Sequence, residues 1–201
     1  MRVLNQLDYE NILYPTSLVK GEQPAEPYPS VAKAGCGLIC ACMLVGILTD
    51  KQLEPQEAVR ISVRAGANHF GTDMPIFAKE IAERYGLELS SGSSKEELMN
   101  GLHAGAVAII HAGKPKGLFS DGGHFVLAAK AEGENIYIID PSFKQEKYDK
   151  DYRQGLFTME PPYIVVSADN VMDQIKYRMP SWYLFLSLIH ISEPTRHAQI
   201  S

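Results

Sequence analysis

The chain of 201 residues predicts an α+β fold, with N-terminal helices packed on an antiparallel sheet. Three observations carry that prediction. Residues 38–48 are apolar on every side, which marks a fully buried helix. Helical patterns with one apolar face follow, at 55–65 and 74–85. Beyond residue 105 the pattern changes to short β-rich runs bounded by glycine and turn residues.

Each element has a local reason. Residues 1–34 read as irregular, because Pro15, Pro24, Pro27 and Pro29 interrupt any long element. Gly35-Cys36-Gly37 opens the buried helix, and Thr49 or Asp50 ends it. Pro55 suits the first turn of the second helix, and Gly66 closes it. The third has Thr72 or Asp73 as cap, Pro75 in its first turn and Gly86 as stop. Ile76, Phe77, Ile81 and Tyr85 give it an apolar face. Ser94 with Glu97 three residues on is a capping-box pattern that starts a fourth helix, ending near Gly105. Strands are expected over 106–111, 124–130, 135–140 and 163–167. A loop with four glycines spans 112–123, and a hairpin turn spans 132–135.

Composition narrows the function. Nineteen basic against twenty-four acidic residues give a net charge of −5, and no basic stripe stands out, so nucleic acid is not an expected partner. The longest apolar run has eleven residues. A bilayer-spanning helix needs roughly 20, so no membrane partner is expected either. Residues 1–8 carry one Arg and no apolar core, unlike a secretory signal. The expected location is the cytoplasm, or outside the cell by a route that needs no such signal. Three cysteines in a chain of this size do not make a disulfide framework. One domain is expected over 1–185, acting as a monomer. Residues 187–196 resemble the translation of a sequencing adaptor, so 186–201 is read as a non-native tail; the competing reading is a genuine edge strand.

Cys36 is the sharpest chemical feature. It lies between two glycines at the start of a buried helix, where unpaired N–H groups and the helix dipole stabilise an anion. A thiol so placed has a lowered pKa. The flanking glycines are expected to let a substrate backbone come close. The bland alternative is a small buried turn residue. Cys40 and Cys42 read as core, since their spacing fits no zinc site; neither a metal nor another cofactor is expected. For a base, His124 follows Gly122-Gly123 and opens an apolar strand, with His111 as competitor. Asp140 closes the next strand. Antiparallel strands joined at 132–135 bring His124 and Asp140 together as paired outer ends. Asp140 can equally be a plain turn residue before Pro141.

Gly35-Cys36-Gly37 opening an apolar helix, Gly123-His124 entering a strand, and Asp140-Pro141 ending the next together resemble the C39-like cysteine peptidases. That resemblance covers roughly residues 3–185 and implies a bacterial protein with a papain-like fold. It implies a Cys36 nucleophile, a His124 general base and an Asp140 that orients the imidazole. Two positions depart from the family pattern. Leu38 stands where Pro is frequent. Ser30 stands six residues before Cys36, where the family has an oxyanion-binding Gln, which makes Ser30 the candidate second oxyanion donor. Bacteriocin-processing members are fused to transporters, so cleavage of leader peptides is not carried over. The interval from Cys36 to His124 is 88 residues. Papain itself has about 130–150 between Cys and His, so this is a compact relative.

The expected activity is hydrolysis of peptide or amide bonds through an acyl-thioester. The substrate is expected to be a peptide, a protein or a cell-wall peptide. Two alternatives use the same cleft: acyl transfer to an amine, and peptide binding without catalysis.

Overall fold

The computed structural model describes residues 1–175 and 178–187. A short 3-10 turn at Gln6–Asp8 precedes α1 (Val31–Ala34), α2 (Cys36–Leu48), α3 (Pro55–Arg64) and α4 (Met74–Tyr85). Then come β1 (Leu87–Gly92), α5 (Lys95–His103), β2 (Val107–Ala112), β3 (His124–Glu132) and β4 (Asn135–Ile139). The described chain closes with α6 (Gln145–Tyr148), β5 (Thr158–Glu160), β6 (Tyr163–Ser167), α7 (Ala168–Ile175) and β7 (Trp182–Ser187). All pairings are antiparallel, in one seven-stranded sheet ordered β1-β7-β2-β3-β4-β6-β5.

The sheet is covered on both faces. Val107, Ile109, Phe125, Leu127, Tyr183 and Phe185 point to one side and join the core with α2, α3 and α4. Ala108, Ile110, Val126, Ala128, Trp182 and Leu184 alternate to the other side, under α5 and α7. Double coverage explains why β2 and β3 are near-continuous apolar runs, a pattern more familiar from buried parallel strands. The sequence reading assigned no element to residues 168–175, so the part of this second layer that α7 supplies was not foreseen.

The anticipated elements fall close to their expected limits. Ser94 Oγ accepts from the Glu97 N–H at 3.3 Å, as the capping box requires. Gly86 closes α4 at φ 67°, a left-handed conformation suited to glycine. Six helices and strands were not foreseen: α1, β1, α6, β5, α7 and β7. β1 is a half-exposed edge strand with little β-branched content. β5 has only three residues. β7 lies between β1 and β2 and extends to Ser187, two residues past the expected end of the domain at 185. Residues 188–201, the bulk of the expected tail, lie outside the described residues. Among the described residues, no helix is long and apolar enough to cross a membrane.

Phe185 is fully buried in the middle of β7, facing the helical core. Phe185→Ala is expected to lower the unfolding free energy by about 3–5 kcal/mol, read from urea midpoints at unchanged slope. A loss below about 1 kcal/mol, the range of ordinary surface changes, would contradict the central placement of β7.

Candidate active site

α2 has no polar face to offer solvent. Ten of its thirteen residues, from Gly37 to Leu48, are buried, so its N-terminus is fixed by packing on all sides. Cys36 is the first residue of that helix, with Gly35 as its N-cap. The flanking glycines serve the protein's own packing. A Cβ at Gly37 would lie 2.8 Å from Met74 Cε and 3.2 Å from Phe125 Cδ2; one at Gly35 would lie 2.5 Å from Val31 Cγ1. They let the helix start dock against β3 and α1.

His124 is the first residue of β3, and Asp140 directly follows β4. The β3–β4 hairpin brings these outer ends together. His124 Nε2 donates to Asp140 Oδ1 at 2.8 Å. A carboxylate only accepts, so a proton sits on Nε2, and the ring lies close enough to Cys36 for each group to shift the other's proton affinity. Asp140 also accepts the Ser142 N–H at 2.9 Å, the Asx turn expected of an Asp before Pro141. Turn residue and imidazole partner are thus one and the same group.

The remaining contacts of Asp140 could not be read from the sequence. Its Oδ2 accepts from Tyr148 Oη at 2.5 Å and from Lys147 Nζ. Ser142 Oγ lies 3.2 Å from Oδ1 and 3.1 Å from His124 Nε2. Lys147 and Tyr148 come from the four-residue helix α6, too short to show a hydrophobic period, seven and eight residues past Asp140. Only the Asp140-Pro141-Ser142 turn carried a sequence signal.

Electrostatics follow this geometry. Burial pushes the Cys36 thiol up. The hydrogen bond and charge of His124, together with the N–H groups of Phe125 and Gly37, outweigh it and hold the thiol below its ordinary value. Burial would lower His124, but the Asp140 carboxylate and Cys36 raise it to about 9. Asp140 is held below the carboxylate range despite burial, by His124 and Lys147. These shifts run in the directions that favour a thiolate–imidazolium pair backed by a carboxylate. Cys40 and Cys42 are buried and pushed up, as befits core residues.

The other candidates separate clearly. His111 stacks on Phe125 with centroids 4.3 Å apart, and burial with the charge of Arg178 pushes it down to about 4. It is His124 whose charge and proximity lower the Cys36 thiol. Ser30 caps α1 and lines a neighbouring groove with Tyr28 and Lys33, apart from the cleft at Cys36. The structure does not bring Ser30 together with the other three residues. That cleft, of about 390 Å³, opens beside Cys36 and His124 between Phe70, Thr72, Lys33 and Arg178. No Asn or Gln lines it among the described residues.

No protein-family model matches the chain, and no curated protein matches it. Among solved structures, it is similar to a Bacillus anthracis protein described as a "putative C39-like peptidase". The TM-score is 0.52 and the identity 11%, over 77% of this chain and 89% of that one. At that identity the likeness is a distant one, of fold. The architecture is the α+β, papain-like fold of a C39-like peptidase.

Brief iodoacetamide treatment at neutral pH, followed by mass mapping, should label Cys36 and spare Cys40 and Cys42. Equal labelling of either core cysteine would contradict the electrostatic assignment.

Proposed function

We propose that the chain is a cysteine-dependent hydrolase of peptide or amide bonds. The observation that carries this reading is the meeting of Cys36, at a helix start, with the hydrogen-bonded pair His124–Asp140 beside an open cleft. Packing alone gives no reason for three such groups, 88 and 16 residues apart, to meet.

The Cys36 thiolate attacks the substrate carbonyl carbon. The N–H of Cys36, at the positive end of α2, stabilises the developing oxyanion. The His124 imidazolium gives its proton to the leaving nitrogen as the C–N bond breaks, and a thioester remains. The now neutral His124 takes a proton from water, whose oxygen attacks the thioester. The thiolate leaves, and the carboxylic product departs. Asp140 acts through His124 throughout, by holding the tautomer and offsetting the imidazolium charge.

The cleft's lack of an amide side chain supports a second reading, a domain that binds peptides without cleaving them. The two part on turnover. Against a quenched-fluorescent peptide library, Cys36→Ala should abolish cleavage and His124→Ala should lower it by about 10²–10⁴-fold. The pH profile follows from the signs of the shifts. The lowered Cys36 supplies thiolate below 9.0, and the raised His124 keeps its proton up to about 9, so kcat/KM should plateau through neutrality and fall above that value. Cleavage that survives Cys36→Ala contradicts the proposal. Binding without any cleavage favours the second reading.

A further inference from the structure

The cleft beside Cys36 is lined by cations and by no carboxylate: Lys20, Lys33 and Arg178 are its charged residues apart from the reacting groups. The chain as a whole carries a net charge of −5, so this is a local arrangement and does not mirror the general surface. Arg178 is the most deliberately seated of the three. A Cβ at Gly113 would lie 2.5 Å from its Nε, and one at Gly123 would lie 3.3 Å from its Nη2. The guanidinium therefore lies across two glycines, one from each end of the β2–β3 loop. Gly123 is the residue immediately before His124.

Its Nε is sealed from water and has no hydrogen-bond partner among the described residues. A nitrogen sealed in this way is closed to a ligand as well, so recognition falls to the terminal N–H groups of the guanidinium. A guanidinium offers parallel N–H donors that match a carboxylate two to two. His111, on the same wall, is uncharged at neutral pH because burial and Arg178 push it down to about 4, so it does not compete for an anion. The same cleft carries Leu18 and Phe70, both about half exposed, which suit an apolar neighbour.

We propose that Arg178 is a specificity residue that receives a substrate carboxylate next to the scissile bond, so the preferred substrate is an acidic peptide. The assignment rests on Cys36 and His124 being the reacting pair. The carboxylate can come from an Asp or Glu side chain or from a free peptide C-terminus.

The test uses matched quenched-fluorescent peptides that differ only by Glu against Gln at each position flanking the cleaved bond. A second set pairs a free C-terminus with its amide. With the full chain, one set should show a preference of at least about tenfold for the charged member, the difference expected of a charge-assisted hydrogen bond. The set that shows it identifies the source of the carboxylate. Arg178→Gln should bring the preference close to one, with the rate of Cys36 alkylation unchanged, and Arg178→Lys should restore part of it. A preference that survives Arg178→Gln, or no preference in either set, overturns the inference. Fluorescence-polarisation binding of the same pairs to Cys36→Ala reads it without turnover. There, tighter binding of the acidic member that is lost with Arg178→Gln supports a carboxylate site even if the wild type cleaves nothing. Equal binding of both members rejects it even if the hydrolase reading stands.

Discussion

Asp140 carries a full negative charge on a side chain with 0% exposure, and the surroundings of the site are arranged around satisfying it. A carboxylate buried without partners costs several kcal/mol. Here its two oxygens accept from His124, Ser142, Lys147 and Tyr148. The segment that delivers the last two is itself pinned. Arg153, almost fully buried, donates to the carbonyls of Lys147 and Gly117 and pairs with Asp121 at 3.0 Å, locking residues 147–153 to the β2–β3 loop. From the other side the Gln6 N–H donates to the Pro141 carbonyl at 2.6 Å, and Gln6 Nε2 donates to the Ala32 carbonyl at 2.8 Å. Gln6 thereby joins the turn after Asp140 to the short helix just ahead of Cys36. The irregular N-terminal segment works as a strap across the two halves of the site.

The same constraint explains the thiol. Burial alone disfavours a thiolate, as the raised Cys40 and Cys42 show on the same helix. Cys36 differs in having an imidazolium partner and N–H donors at the helix start. That imidazolium exists at neutral pH because Asp140 stays ionised. Linkage gives the sign. The stability that Asp140 contributes is complete above 3.8 and is lost as pH falls through its lowered native value. The His124 contribution is complete below 6.5 and is lost as pH rises through about 9. The two contributions overlap through the neutral range, where the ion pair forms.

Much of this was legible in the sequence, for identifiable reasons. The buried helix announced itself by being apolar all round. The meeting of His124 and Asp140 followed from hairpin geometry, which needs only the turn at 132–135. What escaped was information held in three dimensions. β7 is an apolar, aromatic run whose place beside β2 rests on pairing with strands some 70–100 residues earlier. Lys147 and Tyr148 reach the site from the one-turn helix α6 and Arg178 from a loop, where no period marks which residue turns inward. Ser30 was chosen by its distance from Cys36 in the chain, but α1 turns that position into the neighbouring groove. Spacing along the sequence foretold which residues lie on one element; it did not foretell which loop side chains face the cleft.

The central claim is that an ionised Asp140 keeps His124 protonated against Cys36. A nitrogen-detected NMR titration of the His124 imidazole measures this directly. The account predicts an imidazolium through neutral pH that loses its proton only near 9, and at clearly lower pH in both Asp140→Asn and Cys36→Ala. Loss of the proton near 6.5 in the wild type, or a value unmoved by Asp140→Asn, would contradict it.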